Sequence, residues 1–456
     1  MKKLFKGGKT VSSEGVLEQD ILIQDEKIVA VGKDLPDEDA EVIDVSDKLL
    51  FPGFIDAHTH FDLEVSDTVT ADDFYTGTRQ AVAEGTTTII DFATQNHGET
   101  LKEALVNWHR KADGKSSCDY GFHMAISQWN ERIAQELPLM KAEGVTSFKL
   151  YMTYDAMYLN DGEIYKALKA IKEEHGVVGV HCENRDLIAA LVEEAKSKGD
   201  LAPFYHEKTR PYQAEAEAIN RLLEIASVVD VPVLIVHLST KAGLGVIRGA
   251  RERGQKVFVE TCPQYLLMNS EKYQLTDEEA MKYIIAPPLR TEEDQRALWE
   301  AIAVADIDTV ATDHCSFTTA QKEKGLQDFT NIPCGMPGVG TRPALMYTFG
   351  VGEGKISVGE MCRLLAENPA KLYGLYPRKG ALLPGSDADI VVWDEEVSRT
   401  LTNQSLSACD YNPYQGTTVK GGATKVYLRG TLVAQDGEMV RENTGCYLYR
   451  QPTQMY

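Results

Sequence analysis

Phe54-Ile55-Asp56-Ala57-His58-Thr59-His60 is a short apolar run that ends in a pair of histidines. On an extended segment, residues two apart project to one side, so both imidazoles can grip one ion. A lone His-x-His is a weak signal, more often a chance pair in a loop than a ligand. This one closes the first of a series of similar runs, and the series decides the fold. The others are Thr87-Thr88-Ile89-Ile90, Tyr120-Gly121-Phe122-His123, Ser147-Phe148-Lys149-Leu150, Val177-Val178-Gly179-Val180, Val233-Leu234-Ile235-Val236, Lys256-Val257-Phe258-Val259 and Asp308-Thr309-Val310-Ala311. Helical periodicity with acidic first turns fills stretches between them, as at 72–84, 162–174 and 292–303. Alternating apolar runs and helices indicate parallel strands with crossover helices, and eight such units predict an α/β fold, a TIM (β/α)8 barrel.

Outside this middle the texture changes. Asp20-Ile21-Leu22-Ile23 and Lys27-Ile28-Val29-Ala30-Val31 near one end read as short strands punctuated by Gly and Asp. So do Asp389-Ile390-Val391-Val392-Trp393, Lys425-Val426-Tyr427-Leu428 and Thr431-Leu432-Val433-Ala434 near the other. The expectation is a small β-sandwich built from 1–52 and 376–456 beside a barrel of 53–375. The stretch 315–340 shows no clear element and follows the eighth strand, on the face where barrel active sites sit, so it is expected to wall the pocket.

Composition narrows the function. The chain has 456 residues with 47 basic against 69 acidic, a formal charge of -22. That charge repels phosphate backbones and anionic membrane surfaces, which argues against nucleic acid or membrane as partners. The basic start at Met1-Lys2-Lys3 leads into no signal-peptide core, and no stretch is apolar for long enough to span a bilayer. The eight cysteines are scattered without a Cys-x-x-Cys pair, which suits reduced thiols in the cytoplasm.

Four further residues share the placement of the histidine pair. Lys149 lies within or at the end of the fourth run, His181 ends the fifth, His237 the sixth and Asp313 the eighth, so all would face the barrel mouth. Each alone reads as readily as a packed rim residue, and His314 beside Asp313 adds a further histidine; their joint arrival at strand ends is what packing does not explain. Lys149 is the informative member, because a buried ammonium beside metal ions is repelled and has no lone pair to donate. Addition of CO2 to the neutral amine would give a carbamate, whose two anionic oxygens can bridge metals about 3.5–4 Å apart. The plain alternative is a lysine paired with a nearby carboxylate.

The segments Gly53-Phe54-Ile55-Asp56-Ala57-His58-Thr59-His60, Ser147-Phe148-Lys149-Leu150-Tyr151-Met152, Val180-His181-Cys182-Glu183-Asn184, Val236-His237-Leu238-Ser239, Glu260-Thr261-Cys262-Pro263-Gln264-Tyr265-Leu266 and Ala311-Thr312-Asp313-His314-Cys315-Ser316-Phe317 together resemble the amidohydrolase superfamily. More narrowly the chain resembles the dihydropyrimidinase and D-hydantoinase family. That resemblance implies hydrolysis of a cyclic ureide to an N-carbamoyl amino acid, a homotetramer, and two divalent metals, Zn2+ by ligand type with Mn2+ as the alternative. Carried over residue by residue, His58, His60 and Asp313 would hold the first metal and His181 and His237 the second, with carboxylated Lys149 bridging both. Asp313 would also act as base, and Tyr154, five residues after Lys149, would stabilise the oxyanion.

Two positions depart from the family pattern: Ala286 stands where Ser usually precedes Pro-Pro-Leu-Arg, and Cys334 where Asn usually precedes Gly. Both positions hold the ring amide in the family largely through backbone groups; Cys334 reads otherwise as an ordinary thiol. Leu63, Trp129, Tyr151 and Tyr158 are candidates to grip the ring's exocyclic group or to pack. Related alternatives are an allantoinase, a dihydroorotase or a deaminase, and, in another class, a non-catalytic scaffold relative lacking the ligands, such as the collapsin response mediators.

Overall fold

The structure is a computed structural model that describes residues 2–453 apart from 37, 66 and 404. The expected sandwich ends at 1 and 454–456 therefore lie outside the described residues. Eight parallel strands follow one another in chain order around a barrel: Phe54–Thr59, Thr86–Thr94, Asp119–Ala125, Ser147–Tyr151, Val177–His181, Val233–Ile235, Val257–Thr261 and Thr309–Val310. Each falls on one of the eight apolar runs, because strands buried on both faces need apolar residues at every position. Close approach of the first two strands requires glycine at 53, where a Cβ would come 1.9 Å from Thr87 Oγ1.

The outer layer is helical. Asp73 caps Phe74–Ala83 by accepting from the backbone N–H groups of Tyr75 and Thr76 at 2.9 and 2.8 Å. In Asp161–Glu173, Ile164, Ala167, Leu168 and Ile171 form the buried face at helical spacing. Burying each of the larger three stabilises the barrel by roughly 1.5–3 kcal/mol.

The eighth strand is the shortest part of the barrel, and among the described residues it has no ladder with the first beyond a single bridge between Thr59 and His314. Side chains close the gap. Asp56 accepts from Thr312 N at 3.1 Å and Thr312 Oγ1 at 2.7 Å. The buried Arg342 Nη1 donates to the carbonyls of Ile55 at 2.8 Å and Val310 at 3.0 Å, tying the first strand to the last.

Strands from both ends of the chain form a seven-stranded sheet, in the order Glu438–Met439, Thr431–Gln435, Thr418–Leu428, Ile390–Thr400, Leu49–Pro52, Lys9–Ser12, Gly15–Glu18. A four-stranded sheet faces it, and this one is wholly N-terminal: Lys27–Gly32, Asp20–Gln24, Lys2–Lys6, Ala40–Asp44. Phe5, Ile21, Ile23, Leu50, Ile390, Val392 and Tyr427 make the core between them. The 315–340 stretch is less irregular than its sequence suggests, since it holds a short helix, Thr319–Glu323, and a 3-10 turn, Phe329–Asn331. Among the described residues no helix is long and apolar enough to cross a membrane, and all eight cysteines are free.

A charged cluster joins sandwich to barrel. Buried Lys379 lies 2.6 Å from Asp119 on the third barrel strand, 2.7 Å from Asp389 and 3.1 Å from Asp387. Burial favours protonation of Asp387, but the Lys379 ammonium, with Lys27 and Arg378, outweighs it and holds that carboxyl down at about 2. Lys379→Ala leaves three buried carboxylates short of a counter-ion and is expected to cost about 3–5 kcal/mol in urea denaturation. A depressed carboxyl contributes stability above its unfolded pKa and loses it as pH falls, so the difference from wild type should narrow from about pH 4 towards 2. A cost under about 1 kcal/mol at neutral pH would show that the cluster does not hold the two parts together.

Candidate metal centre

His58 and His60 point the same way from the end of the first strand, as their spacing requires. Across the barrel seam lies Asp313, three residues beyond the eighth strand, whose Oδ1 is 3.2 Å from His58 Nε2 and 3.2 Å from His60 Nε2. One ligand atom from each of these three residues lies within 4.8 Å of the others. Lys149 Nζ, from the middle of the fourth strand, is 3.4 Å from His58 Nε2. The His237 ring stands 5.5 Å from that of His58 and 4.5 Å from that of His181, between centroids. All six residues foreseen as ligands are therefore brought to one side of the barrel. His314 is turned away: its Nδ1 accepts from Gly338 N and Val339 N, and its Nε2 is 3.2 Å from Asp72.

Three carboxylates that sequence reasoning missed orient this group. Glu260 Oε1, on the seventh strand, is 2.6 Å from His58 Nδ1. Glu183 Oε2 is 2.7 Å from His181 Nε2 and 2.7 Å from Arg210 Nη1. Asp91, on the second strand, accepts from Thr59 Oγ1 and Phe61 N at 2.8 and 2.9 Å and so fixes the turn after the histidine pair. Glu260 and Asp91 did leave a signal, as acidic residues within otherwise apolar parallel strands.

The electrostatics suit ligation. Burial drives His58, His181 and His237 below the ordinary imidazole range, so each presents a neutral ring. Burial likewise pushes the Lys149 ammonium down to about 8 and Glu260 up to about 8. Arg210 outweighs burial at Glu183 and holds that carboxyl at about 2.

Tyr154 leaves the fourth strand with φ of 64°, and its ring lies 5.1 Å from that of His181. The Arg210 guanidinium sits 5.7 Å over the same ring. Burial raises the phenol well above its ordinary range, which keeps it a donor. His237 and Asp313 also have positive φ, 38° and 52°. Left-handed backbone at non-glycine residues costs on the order of 1 kcal/mol or more, and three such residues meet at this one site.

The remaining foreseen residues lie around the mouth. Tyr151 is buried against Phe92 and Ala125, while Tyr158 carries the Arg185 guanidinium 4.9 Å over its ring. Leu63 and Trp129 are half-buried against the barrel core. Ala286 and Cys334 sit on neighbouring loops joined by a 3.0 Å hydrogen bond from Gly335 N to the Ile284 carbonyl.

A family model described as the amidohydrolase family matches residues 49–433. The chain belongs to that family. It is 41% identical over 455 residues to a D-hydantoinase of Geobacillus stearothermophilus, covering 99% of this chain and 97% of that one. A D-phenylhydantoinase of Escherichia coli O81 (strain ED1a) is also 41% identical, with 99% of both chains covered. The solved dihydropyrimidinase of Brevibacillus agri NCHU1002 superposes with a TM-score of 0.97 at 40% identity, covering 99% of each chain. The amidohydrolase falls within the hydantoinase and dihydropyrimidinase group on these similarities.

The family is metal-dependent, and the residues present fit a divalent cation. With the His58 proton on Nδ1 toward Glu260, the Nε2 lone pair faces Lys149 Nζ and the Asp313 carboxylate oxygen that His60 Nε2 also faces. Such a set of acceptors is relieved by a cation among them. Glu260→Gln keeps the shape of the orienting residue and replaces its carboxyl group, 2.6 Å from His58 Nδ1, with an amide. It is expected to weaken metal retention about 10–100-fold, read by competition against a chelator, as loss of such outer partners does. Unchanged retention would show that Glu260 does not set the His58 ring.

Proposed function

We propose that this chain is a cyclic amidohydrolase that opens a cyclic ureide, a dihydropyrimidine or a 5-substituted hydantoin, to an N-carbamoyl amino acid. The observation that carries this reading is the meeting of His58, His60 and Asp313 within 4.8 Å, with Lys149 Nζ 3.4 Å from His58. His58, His60 and Asp313 would hold one divalent ion, His181 and His237 a second, and carboxylated Lys149 both, with Zn2+ the best match to the donors and Mn2+ compatible. Bound there, divalent ions polarise a carbonyl and acidify water to a pKa of about 7.

The chain's own residues supply the rest. Burial lowers the Lys149 ammonium to about 8 and so favours the neutral amine, which can add CO2, forming the N–C bond of the carbamate and releasing a proton. Asp313 takes a proton from the attacking water and returns it to the ring nitrogen as the C–N bond breaks. Tyr154, kept protonated by burial, donates to the carbonyl oxygen as negative charge develops on it. The backbone at Ala286 and Cys334 would hold the ring amide. The resemblance also supports a homotetramer working in the cytoplasm, of which light scattering reads the first.

Purified protein supplied with Zn2+ or Mn2+ is expected to open dihydrouracil or 5-phenylhydantoin within a panel that includes hydantoin, allantoin and dihydroorotate. Inactivity of the metal-loaded protein on all five would overturn the reading. Tyr154→Phe should lower turnover about 10²–10³-fold while metal content stays the same. Undiminished turnover would remove the phenol from the reaction.

A further inference from the structure

Lys322 is fully buried on the short helix Thr319–Glu323, yet among the described residues no carboxylate pairs with it. Its Nζ donates instead to two backbone carbonyls, Ile284 at 3.2 Å and Pro333 at 2.9 Å. An ammonium buried without a counter-ion carries a large desolvation cost, and a Met or Leu would fill the same space without it. What the ammonium adds is a link between two segments 49 residues apart, those that carry Ala286 and Cys334.

The two segments are held tightly around that link. Gly335 N also donates to the Ile284 carbonyl, at 3.0 Å. A Cβ at Gly335 would come 2.2 Å from the Cys315 carbonyl, so this loop presses on the chain just beyond Asp313. On the other segment His206 Nε2 lies 2.7 Å from the Ile285 carbonyl, and Tyr265 donates to the Pro287 carbonyl at 2.8 Å. Three successive pins at 284, 285 and 287 leave Ala286 between them. Among the described residues no protein group bonds the Ala286 carbonyl or the Cys334 N–H.

A trans peptide is planar, with its C=O and N–H opposed. Drawing the Pro333 carbonyl inward to Lys322 therefore turns the Cys334 N–H outward. The free acceptor at Ala286 and the free donor at Cys334 form the complementary pair that a ring amide requires.

We propose that Lys322 is a positioning residue for substrate recognition: its buried ammonium clamps the 284–286 turn to the 333–335 loop and so fixes the backbone acceptor and donor that grip the ring amide. The inference rests on the cyclic ureide reading above. It does not depend on the side chains at 286 and 334, since every residue but proline offers both backbone groups.

Lys322→Met keeps the length of the side chain and removes the donors. The expected result is a rise of about 10–100-fold in KM for the ring that wild type opens, with kcat within about threefold and metal content unchanged, the pattern of lost uniform binding. Amide hydrogen exchange should accelerate together in 281–290 and 331–337. A fall in kcat at unchanged KM, or unaltered exchange in both loops, would overturn the clamp. If wild type opens no ring, the functional reading fails, and the exchange comparison still decides whether Lys322 ties the loops. Should Lys322→Met not fold, Lys322→Gln takes its place in both measurements; failure of both to fold would overturn the proposal by assigning Lys322 to folding alone.

Discussion

The closure between the first and last barrel strands is the constraint on which the rest depends. Asp313 follows a two-residue strand that a regular ladder does not tie to its neighbour at 54–59. Its register against His58 and His60 is set instead by Asp56 gripping Thr312 and by Arg342 bonding the carbonyls of Ile55 and Val310. Arg342 and Asp56 are both wholly buried, and Nη1 and Oδ1 stand 3.8 Å apart. Each side chain therefore satisfies backbone groups at the seam while balancing the other's charge in a medium where either alone would be costly. The same bonds that complete the barrel bring a carboxylate from one edge against the imidazoles of the other.

Around that seam the site is organised by carboxyl groups set behind neutral bases. Glu260 and Glu183 each engage one nitrogen of a histidine, which leaves the other nitrogen for the barrel mouth, and Asp91 holds the segment after the pair. Positive φ at Tyr154, His237 and Asp313 belongs to the same design, since each residue must turn sharply off a strand end to face its neighbours. Such conformations persist only where surrounding contacts over-determine them.

The barrel was legible because two-faced burial writes itself as apolar runs, and the runs survive in the sequence whatever their partners. The positions of His58, His60, His181, His237 and Asp313 at or just beyond strand ends were legible for the same reason, whereas Lys149 lies in the middle of its strand. Other features were not. The sixth and eighth strands end earlier than their runs, at Ile235 and Val310, because the chain turns there to aim His237 and Asp313. Glu260 and Arg342 find partners 202 and 287 residues away. No local periodicity encodes such pairs, and nothing in the polar stretch around Lys322 distinguishes this buried side chain from an exposed lysine.

Recognition through backbone groups changes what a departure in sequence means. If the ring is held by the carbonyl at 286 and the N–H at 334, then alanine and cysteine at those positions supply the same groups as serine and asparagine would. What must be kept is the path of the chain. That demand falls on residues that never meet the ring: His206 and Tyr265 pinning 285 and 287, Gly335 fitting against Cys315, and Lys322 joining both segments. Substrate choice would then be divided between two sets of residues. On that reading the pinned backbone would read the amide that all cyclic ureides share, and half-buried side chains such as Leu63 and Trp129 would be left to distinguish one exocyclic group from another.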